Sequence, residues 1–71
     1  MSSPEPRVWL DGQALPWQPG LDLAALLQSH GLAAEAVATA LNGRFVPRAR
    51  RADTPLQAGD VVLTFHPIVG G

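Results

Sequence analysis

The run Val37-Ala38-Thr39-Ala40-Leu41-Asn42-Gly43-Arg44-Phe45-Val46 admits two readings, and the architecture of the chain turns on the choice between them. Ala36, Ala38 and Ala40 favour a helix, because alanine loses no side-chain entropy there. Against that, Val37, Thr39 and Leu41 alternate with the alanines at the period of two that a strand presents. Asn42-Gly43 then supplies two residues that tolerate positive φ, as a type I′ hairpin requires, and Phe45-Val46 reads as the return strand. Strand, turn and strand account for more of the run than a helix does. Pro47 confines the return strand to a few residues, since it has no N–H to donate.

Toward the N-terminus, Val8 and Leu10 alternate with Trp9 ahead of Asp11-Gly12, a second two-residue hairpin signal. Leu15 and Trp17 belong to its return strand, where Pro16 suits a sheet edge. Trp9 and Trp17 read as packing residues, stacked across this hairpin or covering an edge. Pro19-Gly20 closes the unit as a turn. From Leu21 to His30 the period changes: Leu23, Leu26 and Leu27 form one apolar stripe on a short helix. Asp22 is its expected N-cap and Gly31 its left-handed C-terminal residue. So short a helix is unstable alone and must pack its leucines on a sheet.

Toward the C-terminus, Arg48 to Thr54 reads as a polar surface loop. Pro55-Leu56-Gln57 is expected to make one tight helical turn that drops Leu56 into the core, followed by a turn at Gly59-Asp60. The last strand, Val61 to His66, places Val61, Leu63 and Phe65 on one face and Val62, Thr64 and His66 on the other. A single helix covers only one face of a sheet. Phe65 is therefore either a core residue or part of a docking patch on the uncovered face. The order strand, strand, helix, strand, strand, strand predicts an α+β domain, with the helix across one face of a mixed sheet of about five strands. The first and last strands pair most simply as parallel central neighbours, which resembles the β-grasp of ubiquitin-like domains.

The 71 residues allow one domain with one small core. The domain is expected over 7–66, after a disordered lead-in at 1–6 and before a flexible reactive tail at 67–71. With 46% hydrophobic and 15% charged residues, the composition is that of a folded domain. A net charge of -1 gives no electrostatic case for nucleic acid or an anionic membrane. Cysteine is absent, which excludes a disulfide framework, a thiolate nucleophile and a thiolate metal site. Lysine is absent too, so the chain offers no side-chain acceptor for conjugation to itself. Neither a secretory signal nor a membrane-length apolar run is present, and the expected location is the cytoplasm. His30 and His66 read as a helix-end and a strand residue. No acid–base pair, nucleophile constellation or metal set is evident, and no bound cofactor is expected.

The sequence Leu41-Asn42-Gly43-Arg44-Phe45-Val46-Pro47-Arg48, the Leu56 to Asp60 stretch and the terminal Gly70-Gly71 together resemble the ThiS family, the small sulfur carriers of thiamine biosynthesis. The resemblance covers roughly Val8 to Gly71. It implies a β-grasp carrier that is not an enzyme. Its terminal glycine, here Gly71, is adenylated with ATP by a ubiquitin-activating-like adenylyltransferase and converted to a thiocarboxylate. A sulfur-donor enzyme supplies the sulfur, and thiazole synthase receives it. Pro67-Ile68-Val69 ahead of the glycines is similar instead to the small subunit of molybdopterin synthase, so delivery to molybdopterin or another sulfur-incorporating pathway stays open. A ubiquitin-like modifier joined through Gly71 and a β-grasp interaction module with an inert tail are the remaining alternatives.

The residues of the tail suit such chemistry. A carboxylate is a poor electrophile, and linkage to AMP gives its carbonyl a good leaving group. In a chain without cysteine no side chain offers a persulfide site, which leaves Gly71 as the place for sulfur. Gly70 lets the backbone approach phosphate and catalytic groups closely. The five residues from Pro67 to Gly71 span about 16 Å when extended. Pro67 stiffens the root of this leash. Ile68 and Val69 either fold back on the sheet or enter a partner groove in which backbone pairing gives affinity. Arg48, Arg50 and Arg51 form the only charge cluster, which is either a solvated loop or a rim that steers an acidic partner; Arg48 is the docking candidate among them.

Overall fold

The computed structural model describes residues 5–66 of the chain. The expected tail at 67–71 and most of the expected lead-in at 1–6 lie outside the described residues. Five strands and one α-helix are present: β1 (Arg7–Leu10), β2 (Gln13–Pro16), α1 (Leu23–Ser29), β3 (Ala38–Leu41), β4 (Arg44–Val46) and β5 (Val61–Phe65). A 3₁₀ helix spans Arg48–Asp53. The sheet order is β2-β1-β5-β3-β4. β1 and β5 pair in parallel, while β1–β2, β3–β4 and β3–β5 are antiparallel.

Local chemistry explains most of these elements. Both hairpins turn on residues with positive φ at both central positions, 50° and 86° at Asp11-Gly12 and 51° and 85° at Asn42-Gly43, the signature of type I′. The strand reading of Ala38 to Leu41 holds: the central strand β5 pairs along the whole of β3, with Ala38 opposite Phe65 and Leu41 opposite Val62. Helix α1 starts at Asp22, whose carboxylate accepts the Ala25 N–H at 2.7 Å. It stops at Gly31, with φ of 71°. There the N–H of Gly31 reaches the Gln28 carbonyl and the N–H of Leu32 reaches that of Leu27, both at 3.1 Å, which is a Schellman ending.

The core lies between α1 and one sheet face. Val8 and Leu10 from β1, Leu15 from β2, Val62 from β5 and Val46 from β4 meet Leu23, Leu26 and Leu27 of α1, with Leu56 closing one end. Each fully buried leucine contributes about 1.5–3 kcal/mol of transfer free energy, and that burial holds a helix too short to persist alone.

The structure differs from three of these expectations. Arg48 to Asp53 is a 3₁₀ helix rather than an open loop, and the helical turn lies there instead of at Pro55-Leu56-Gln57. Pro55 forms an isolated bridge with Asp22, and Leu56 is buried all the same. The two tryptophans do not stack across the first hairpin. Trp9 lies opposite Ala14 on the uncovered face, whereas Trp17 follows the parity of buried Leu15 and donates its Nε1–H to the Leu56 carbonyl at 2.6 Å.

Candidate functional site

β5 is the strand that leads into the C-terminal segment, and it is fixed on both sides. Its first residues pair with β1, Trp9 opposite Val61 and Leu10 opposite Val62. Its other edge pairs with β3 up to Phe65. Beyond Leu10, β1 turns away, and the Asp11 carboxylate takes over its role by accepting the Thr64 N–H at 2.7 Å and the Thr64 hydroxyl. At the other end, Asn42 Oδ1 accepts the Val61 N–H at 2.9 Å and its amide donates to Asp60 at 3.1 Å. Side chains from both hairpin turns thus extend the ladder of the central strand. His66 follows as the last described residue, so Pro67, Ile68, Val69, Gly70 and Gly71 come in sequence directly after the central strand of the sheet.

Among the described residues, the sheet face opposite α1 is rich in apolar side chains and uncovered. Phe45 is 64% exposed, Leu63 47%, Phe65 46%, Val61 41% and Trp9 37%. The register sets them side by side: Trp9 is across from Val61, Leu63 from Ala40, Ala40 from Phe45, and Phe65 from Ala38. Small alanines on β3, between β5 and the edge strand β4, leave the larger side chains standing around a shallow floor. Phe65 lies in this patch at the C-terminal end of β5, not in the core. Sequence reasoning assigned Val61, Leu63 and Phe65 to one face but left Trp9 and Phe45 out of it. The parity of Trp9 against Val8 and Leu10 carried that information, and so did the parity of Phe45 against Val46.

Arg48 lies elsewhere. It opens the 3₁₀ helix on the helix-covered side and lines a cleft against α1, so Arg48 and Phe65 do not share one surface. Arg51 is only 3% exposed and is no part of a solvated loop. Its guanidinium donates to the Thr39 hydroxyl at 3.2 Å, the Ala34 carbonyl at 3.0 Å and the Val37 carbonyl at 2.6 Å. Burial pushes its pKa below the ordinary arginine value, and the nearby Arg48 charge pushes it the same way. Among the described residues, no group of three His, Cys, Asp or Glu side chains converges as a metal set would. None of the described helices is long and apolar enough to cross a membrane.

A five-stranded mixed sheet with a parallel central pair and one main helix on one face is a β-grasp domain. Its sequence places it more narrowly. The ThiS family model matches residues 6–71, and the chain belongs to the ThiS family. The crystal structure of thiamine biosynthesis protein ThiS from Geobacter metallireducens is similar at 26% identity, covering 92% of this chain and 99% of that one with a TM-score of 0.77. A solution structure of a thiamine biosynthesis protein from the same organism is similar at 26% identity, covering 92% and 87%, with a TM-score of 0.70. No curated protein matches the chain. Membership of the family supports a sulfur-carrier role in thiamine biosynthesis.

Proposed function

We propose that this protein carries sulfur on Gly71 for the thiazole of thiamine, acting as a substrate of other enzymes and not as a catalyst. The observation that carries the reading is the ThiS family match, which runs through Gly71 at its last position. In the first step an oxygen of the Gly71 carboxylate attacks the α-phosphorus of ATP held by an adenylyltransferase, pyrophosphate leaves, and an acyl-adenylate remains. Hydrosulfide from a sulfur-donor enzyme then attacks the carbonyl carbon. A C–S bond forms as the C–O bond to AMP breaks, and AMP departs with the electron pair. The resulting thiocarboxylic acid loses its proton near neutral pH and presents a nucleophilic sulfur to thiazole synthase. The ATP belongs to the activating partner, and the setting is the cytoplasm.

The β5 ladder supports this role because it gives the reactive segment a fixed origin, and Gly70 lets its backbone approach the nucleotide. Pro67, Ile68 and Val69 are the recognition residues between that origin and Gly71. The open face around Leu63 and Phe65 suits docking of the activating enzyme, since an apolar patch beside the root of the tail aligns the tail on binding. Deleting Gly71 is expected to leave the fold intact and abolish ATP–pyrophosphate exchange by the native activating enzyme. Normal exchange with the shortened protein contradicts the assignment of Gly71.

A further inference from the structure

Arg51 is the one charged side chain buried among the described residues, and none of the acceptors it reaches there is a carboxylate. Its three acceptors are a hydroxyl and two carbonyls, all neutral. A guanidinium has five N–H donors, so two remain beyond those three bonds. A buried charge is costly unless it is paired, and here a second positive charge stands close enough to disfavour it further. Both arginines line a cleft of about 270 Å³ between α1 and the 3₁₀ helix, together with Leu27, Gln28, Leu32 and Ala34. Among the described residues, no carboxylate lines it. The acids nearest in sequence, Glu35 and Asp53, are both exposed and lie outside the lining.

We propose that this cleft is a carboxylate site that receives an acidic side chain of a partner protein, held between Arg48 and Arg51 with its methylenes on the aliphatic floor. Charge complementarity selects an anion. The floor selects one with an apolar stem, because a hydrated inorganic phosphate leaves half-buried Leu32 and exposed Ala34 uncovered. A glutamate presents two methylenes ahead of a planar carboxylate, and that carboxylate fits the arginine fork. The cleft faces away from the open sheet face, so an acid seated here leaves Leu63 and Phe65 free for a different contact.

The test is an NMR titration of the ¹⁵N-labelled full chain at constant ionic strength with the blocked peptide Leu-Glu-Leu, its isostere Leu-Gln-Leu, and inorganic phosphate. The glutamate peptide is expected to give saturable shifts at the Gln28 and Ala34 amides and at the Arg51 Nε–H. The glutamine peptide, and Arg48→Gln protein titrated with the glutamate peptide, are each expected to bind at least about tenfold more weakly. Arg48 is exposed, so Arg48→Gln leaves the fold in place, which the unperturbed remainder of its spectrum verifies. Equal response to the two peptides, shifts outside the cleft, or binding of phosphate alone overturns the proposal.

Discussion

Asn42 combines two roles that the sequence presents as one. Its positive φ was legible, because a type I′ turn is specified by the two residues that form it. Its side-chain bonds to Val61 and Asp60 were not, since those partners lie 19 and 18 residues away and meet it only once β3 and β5 pair. Asp11 is the stronger case, with its carboxylate reaching Thr64 across 53 residues. Asn42→Ala removes both polar contacts and puts a Cβ without local hydrogen-bonding capacity in the left-handed region. A loss of about 2 kcal/mol is expected, read as a lower urea midpoint with unchanged slope. An unaltered midpoint shows that the turn holds β5 without this side chain.

Among the elements, α1 was readable almost to the residue because every signal that defines it is local: the cap, the leucine spacing and the glycine stop. Asp22→Ala leaves one N-terminal donor without its carboxylate and is expected to cost about 1 kcal/mol, measured by thermal or urea unfolding. A cost that vanishes shows that the first turn is held by packing alone. The 3₁₀ helix at Arg48–Asp53 is hidden from the sequence for the opposite reason. Its one buried residue is an arginine, and nothing near it in sequence announces that the Thr39 hydroxyl and the Val37 and Ala34 carbonyls wait to receive the guanidinium. Sequence patterns place charged side chains in solvent, and only the assembled fold supplies the acceptors that reverse that placement.

For the whole molecule, two hairpin signals, one helix and a final strand sufficed to anticipate the mixed sheet. The count of helices anticipated its uncovered face. Which residues populate that face followed from parity, and Trp9 and Phe45 complete a patch that Phe65 alone only suggested. If the patch serves docking and not stability, Leu63→Ser with Phe65→Ser is expected to keep the unfolding midpoint close to that of the parent. The same pair is expected to raise the Kd for the activating enzyme at least about tenfold, measured by calorimetry. A lowered midpoint with undiminished affinity reverses that assignment. Conjugation and delivery to a different acceptor separate from thiazole supply at this scale as well, since each leaves a different product.

The proposed loading of sulfur on Gly71 is read directly by intact-mass spectrometry of the protein incubated with its activating enzyme, ATP and a sulfur donor. Replacement of one carboxylate oxygen by sulfur is expected, an increase of about 16 Da localised to the C-terminal peptide and discharged on addition of thiazole synthase with its substrates. Attachment to other proteins, or a mass that never changes while the enzyme is demonstrably active, contradicts it.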